Sequence, residues 1–436
     1  MALWIALAGC GGPDPSTDLA PADATSTGYD ATSVPEAGCT SRVEVPGAFG
    51  IPDGTEPDRD AAVFGPDPTP FQVRLGMPSS DPSNSVSFLW RTDVDTLATV
   101  VEYAVDDGAD GPLDQRATGA SFRFGGTLTE PGPNRIHEIK LCTGLVPATT
   151  YRYRVGGDGH WSPTYTFTTP GAPDAFSTFR IAVAGDTRGA YETWAAVLAT
   201  IDTYDPDLVL FTGDMVDLGA IQSQWDGWFD AGGELLTHLR VVPAHGNHEF
   251  LATQYFAQWS LPDNEQWFHV RFGTMELAVL NDTVVDDDAI DTQAAWMADV
   301  FASSTATWKV GLHHRGAYAA CTNHGSNLDA RAAWSPVWDA AGAQLVFAGH
   351  NHVYERSVPI RADAEAAPGA GTVYVVSGGA GADLYSSFDD AWFTAVAQST
   401  ENFVIADFSA TEVEVTVRDL AENVIDAFVV PVGPAR

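Results

Sequence analysis

The chain has 436 residues, too many for one small core and enough for two domains. Hydrophobic residues make up 45% of it and include 13 Trp, so a large core can be buried and a mainly disordered chain is excluded. With 21 Lys and Arg against 58 Asp and Glu, the formal charge is −37, which argues against nucleic acid as a partner and requires any anion site to carry its own positive charge, most simply bound cations.

Residues 1–9 read as a signal peptide with a short apolar run, Ala2–Ala8, and no basic start. Leu7-Ala8-Gly9-Cys10 matches a bacterial lipobox, in which the Cys10 thiol is acylated. The expected location is extracytoplasmic, as a lipoprotein of the cell envelope or as a secreted protein, with the lipid at Cys10 as the one membrane contact. Residues 10–66 are rich in Pro, Gly, Ser, Thr and Asp and read as a tether, too poor in apolar side chains to offset its ordering entropy. Cys39, Cys142 and Cys321 allow at most one disulfide, and their spacing leaves the pairing open.

Residues 67–170 carry short alternating runs, such as Ser85–Trp90, Thr99–Tyr103 and Tyr151–Val155, separated by Gly, Pro and Asp clusters. That pattern predicts a small antiparallel β-sandwich. The segment from His137 to Leu141, followed by Gly144 to Tyr151, resembles the late strands and turn of a fibronectin type III-like domain. Residues 177–436 alternate apolar strands with amphipathic helices and predict a layered α/β domain. Strands are expected at Arg180–Ala184, Leu208–Phe211, Leu239–Val242, Leu277–Leu280, Lys309–Leu312, Leu345–Phe347 and Val373–Val376. Helices are expected at Thr193–Tyr204, Thr292–Ala302 and Arg331–Ala341, with Gly219–Gly233 and Asp282–Asp291 as loops. The alternating tail from Phe403 to Val430 adds antiparallel strands to the same body.

The chemistry is written at the strand ends, in Gly185-Asp186-Thr187, Gly213-Asp214-Met215-Val216-Asp217, Gly246-Asn247-His248-Glu249, Val310-Gly311-Leu312-His313-His314 and Gly349-His350-Asn351-His352. In an α/β sheet the carboxyl ends of the strands face one crevice, so these groups should meet there. One Gly-Asp is usually a turn, and one His-His pair is usually structural. Five such motifs in order, each after a strand-like run, are not explained by turns. Two Asp, one Asn and three His form a mixed oxygen and nitrogen donor set that suits zinc, manganese or iron better than calcium.

The order Gly-Asp, Gly-Asp, Gly-Asn-His-Glu, Val-x-x-His, Gly-His-x-His resembles the signature of purple acid phosphatases within the calcineurin-like phosphoesterases, and His350 to Arg356 is similar to that family's last motif with its flank. The resemblance implies a β-sandwich followed by an α-β-β-α metallophosphoesterase domain. It also implies an acid phosphatase acting on small phosphorylated substrates, with a metal-activated hydroxide as nucleophile. Asp186, Asp214 and His352 would hold the first metal, and Asp214 would bridge to a second completed by Asn247, His313 and His350. Asn247, His248 and His324 would face the substrate, with His248 and His324 as donors to the leaving oxygen. His314 and His245 are expected to be supporting or structural, and His269 to pack on its aromatic neighbours. Two departures stand out. Asp217 occupies the position of the family's iron-binding Tyr, and Arg188 occupies a position where the wider superfamily often has a His ligand. Asp217 could ligate metal or pair with Arg188, and Arg188 could instead grip the substrate phosphate. Ferric iron is not expected, and Tyr191 or Tyr354 is the alternative source of a phenolate. The competing readings are a phosphodiesterase on the same metal pair and a non-catalytic surface binding protein.

Overall fold

A computed structural model describes residues 29–30, 39, 44–45, 62–109, 111–124, 134–283 and 287–433. Cys10 and most of the expected tether lie outside the described residues. Within residues 62–170 two antiparallel sheets face each other. One has the order Phe71–Gly76, Val86–Asp93, Asn134–Leu141, Ala120–Phe124, and the other His160–Trp161, Thr150–Gly157, Val100–Val105, Gln115–Thr118, with Tyr165–Thr168 also paired to Thr150–Gly157. Their inward residues, Phe88, Trp90, Val101, Ile139, Tyr151, Tyr153 and Phe167, make one core. The Tyr151 hydroxyl accepts a hydrogen bond from the Val146 amide at 2.8 Å, a corner device common in such sandwiches. Cys39 is disulfide-bonded to Cys142, and Cys321 is free and buried.

The second body holds two more sheets packed face to face. In the first, Phe179–Ala184 runs parallel to Leu208–Phe211, which runs parallel to Val241–Pro243, while Phe403–Phe408, Glu412–Arg418 and Val424–Pro431 extend it in antiparallel fashion. In the second, Met275–Val279, Trp308–Arg315, Leu345–Gly349 and Val373–Ser377 are successive parallel neighbours, with Phe268–Phe272, Tyr354–Ser357 and Thr394–Gln398 antiparallel at the flanks.

The two-residue period of a strand sorts its side chains between layers. Val310, Leu312, Leu345, Phe347, Val373 and Val375 enter the core between the sheets, with Ile181, Val183 and Leu210 opposite. Ala278, Val346 and Tyr374 face outward onto Trp334 and Trp338 of the Leu328–Ala341 helix and Met297 and Phe301 of the Asp287–Ser303 helix. Helices Tyr191–Asp202 and Gln222–Gly232 cover the first sheet through Trp194, Leu198, Trp225 and Trp228. The layering is therefore α-β-β-α. The Gln222–Gly232 helix lies where the sequence suggested a loop, because its buried Trp225, Trp228 and Phe229 outweigh the weak helix propensity of its glycines.

The β-sandwich is bonded to the α/β body. The buried Arg74 guanidinium donates to the Gln258 carbonyl at 2.8 and 3.1 Å, Arg91 pairs with Asp226, and the Tyr153 hydroxyl donates to the Thr237 carbonyl at 2.8 Å. Among the described residues no helix is long and apolar enough to cross a membrane.

Candidate metal centre

The strand-end motifs converge at one edge of the two sheets. Asp186 follows Phe179–Ala184, Asp214 follows Leu208–Phe211, and Asn247 follows Val241–Pro243, while His314 and His350 come from the facing sheet. Asp186, Asp214 and His350 have positive φ angles of 60°, 57° and 67°. Left-handed backbone at three chemistry-bearing positions that are not glycine is strain of the kind found at functional sites. Glycine lets the backbone approach the carboxylates. A Cβ on Gly349 would lie 2.2 Å from Asp186 Oδ2, and one on Gly246 would lie 2.3 Å from Asp214 Oδ1.

Two donor groups result, and they share a residue. Asp186, Asp214 and His352 form one, and Asp214, His314 and His350 the other, with the ligating atoms of each group within 4.8 Å of one another. All five residues are buried. Asn247 joins the second group, its Oδ1 lying 2.9 Å from His314 Nε2. His314 and His352 each present Nε2 to the centre because Nδ1 donates to a backbone carbonyl, of Thr212 and of Asp383, at 2.8 Å in both cases. Anchoring one ring nitrogen in this way fixes the tautomer a metal-binding imidazole needs. Glu249 ties the second and third motifs together, accepting the amides of Gly246, Asp214 and Met215 at 2.7–2.9 Å. Burial and the neighbouring Asp214 charge push the Glu249 carboxyl up to about 7.

The electrostatics ask for cations. Burial pushes the Asp186 carboxyl well above its usual range, and the Asp214 charge adds to that. At Asp214 burial acts the same way but is outweighed by His314 and His248, which hold that carboxyl well below it. Burial alone would depress His314, yet Asp214, Asp186 and Asp282 together draw it up to about 10. With their mixed oxygen and nitrogen donors, the residues fit a pair of divalent ions.

Two family models match this chain, "Calcineurin-like phosphoesterase" over residues 179–354 and "Purple acid Phosphatase, N-terminal domain" over residues 70–169. The chain therefore carries a calcineurin-like phosphoesterase domain behind a purple acid phosphatase N-terminal domain. Among similar proteins, purple acid phosphatase 22 of Arabidopsis thaliana is 29% identical over 305 residues, covering 66% of this chain and 67% of the relative. Purple acid phosphatase 21 of the same plant is 28% identical, covering 72% and 71%. The solved structure of purple acid phosphatase PPD1 from yellow lupin (Lupinus luteus) seeds shares the fold with a TM-score of 0.70 at 19% identity, covering 83% of this chain and 74% of that one. The phosphoesterase is thus a metal-dependent phosphatase of a family that uses two metal ions.

Within this phosphoesterase His313 does not reach the centre expected for it. Val310, Leu312 and His314 share the inter-sheet face, whereas His313 points to the helix layer, with its ring 5.3 Å from that of Trp334 and its Nδ1 3.2 Å from Asp282 Oδ2. His314 takes the place by the metal group. The signal was present in the strand's own period, counted from Val310 and Leu312. Asp217 lies outside both donor groups, and its Oδ1 accepts from Arg188 Nε at 2.9 Å. His248 Nδ1 donates to the Asp217 carbonyl at 2.7 Å, and its Nε2 lies 3.9 Å from Asp214 Oδ2. The His324 ring lies 4.0 Å from that of His350.

Tyr385 carried no sequence signal. It stacks on His352 at 4.4 Å, and its hydroxyl lies 3.1 Å from His324 Nε2. Tyr354, by contrast, donates to Asp426 at 2.6 Å. His245 is wedged between Tyr255 and Phe256, and His269 bonds Glu276 at 2.7 Å beside Trp296.

Proposed function

We propose that this protein is an extracytoplasmic phosphomonoesterase whose metal pair is shared across Asp214. The observation that carries this reading is the presence of one buried carboxylate in both donor groups. On this reading Asp186, Asp214 and His352 hold one ion, and Asp214, Asn247, His314 and His350 the other. The bound pair would lower the pKa of water and neutralise phosphate charge. Asn247 and His248 follow the Gly246 turn and face the phosphoryl oxygens. His248, fixed through Nδ1, and His324, fixed by Tyr385, hold protons for the departing alkoxide.

The Asp217–Arg188 pair supports divalent ions over a ferric phenolate centre, since no tyrosine stands at that position. The Cys39–Cys142 disulfide supports an oxidising compartment. Incorporation of labelled fatty acid, abolished in Cys10→Ala, tests the anchor.

The function is tested on leaving groups. Alanine at His248 or His324 should cost roughly 10²–10⁴-fold on alkyl phosphates and far less on nitrophenyl phosphate, whose leaving group needs no proton. Equal losses on both substrates would refute the donor roles. A wild type that turns over bis-nitrophenyl phosphate faster than nitrophenyl phosphate would make the protein a diesterase instead.

A further inference from the structure

We propose that Arg188, aimed by Asp217, binds the substrate phosphate and sets the preference for a doubly charged monoester over a singly charged diester; this rests on the phosphoesterase reading of the site. Arg188 follows Asp186 by two residues and holds a positive φ of 48°, with its amide donating to the Asp214 carbonyl at 3.0 Å. The backbone is therefore fixed to the main chain of the residue whose carboxylate both donor groups share. The side chain is fixed as well, through Nε to Asp217 Oδ1 at 2.9 Å. Asp217 Oδ2 lies against Gly189, where a Cβ would come within 3.0 Å of it.

Holding a guanidinium by Nε leaves its two outer amines side by side, the arrangement that grips two phosphate oxygens at once. Neither Nη of Arg188 has a hydrogen-bond partner among the described residues, and 29% of the side chain is exposed. Two residues beyond Asp186, bonded through its amide to Asp214 and still partly exposed, it stands at the mouth of the metal centre. On a chain of net charge −37, a fixed cation at this mouth offsets the repulsion that an incoming phosphate dianion meets. A diester has one charge fewer and one free oxygen fewer, so it gains less from the same fork.

The test compares nitrophenyl phosphate with bis-nitrophenyl phosphate in wild type, Arg188→Ala, Arg188→Lys, Asp217→Ala and the double alanine variant, with metal content measured in each. Arg188→Ala should lower kcat/KM on the monoester by about 10–100-fold, mainly through KM, the range of a charged hydrogen-bond pair. On the diester it should cost less than about fivefold. Arg188→Lys, a point charge without the fork, should fall between wild type and alanine. Asp217→Ala should cost about 3–10-fold on the monoester and nothing further once Arg188 is gone. Equal losses on the two substrates, an undiminished Asp217→Ala effect without Arg188, or metal loss in any of the three single variants would overturn the proposal. A wild type that prefers diesters would sink the monoesterase reading instead, while the ratio between substrates would still report on Arg188.

Discussion

Asp214→Asn is expected to lower turnover by well over about a hundredfold, more than the loss of any residue that serves one donor group alone. The carboxylate is shared by both groups, so its conversion to an amide removes a negative charge and a donor oxygen from residues that would hold both ions. It also receives the His248 amide at 2.9 Å and lies 3.3 Å from His314 Nε2, so the change reaches the third motif and the facing sheet. An amide fits the same space, and the Glu249 bonds to the Asp214 and Met215 amides do not depend on the side chain. The fold should survive, with circular dichroism as the control. Near-normal turnover with unchanged metal content would show that Asp214 does not bridge.

The second large effect separates two adjacent histidines. His314→Ala should lower activity by about a hundredfold or more and lower the metal content, because it removes a donor from the group that holds Asp214 and His350. His313→Ala should keep its metal and most of its turnover. It would leave Asp282 without its imidazole partner and open a space beside Trp334, at a cost of about 1–3 kcal/mol in stability. Kinetics, metal content and thermal melting of the two variants, measured side by side, check both halves. If His313→Ala lost its metal and His314→Ala kept it, the strand register inferred for the centre would be wrong.

The residues that the sequence made legible are those whose chemistry is tied to a backbone event. Asp186 and Asp214 stand where a strand ends after a glycine, and the fold needs that glycine for close approach, so position and chemistry are written together. The His313–His314 doublet offered the same chemistry twice, and only the direction of the strand separates them. The Gln222–Gly232 helix was hidden by two glycines, since the tertiary burial of Trp225 and Trp228 that stabilises it cannot be seen from local propensity. Tyr385 lies in a loop after Val373–Ser377, without periodicity or motif, and reaches the site only because the chain returns past His352. Neither the Arg188–Asp217 bond nor the Cys39–Cys142 pairing follows from spacing, because each joins side chains brought together by tertiary structure.

The central claim is a pair of ions shared across Asp214, and metal titration of the whole protein tests it most directly. After removal of metal with a chelator, manganese or zinc is added back while bound metal per chain and nitrophenyl phosphate turnover are followed together. The account predicts two ions per chain, activity that returns with divalent metal alone as the second ion binds, and a reconstituted protein without purple colour. Full activity with one ion per chain, or turnover that survives complete chelation, would contradict it.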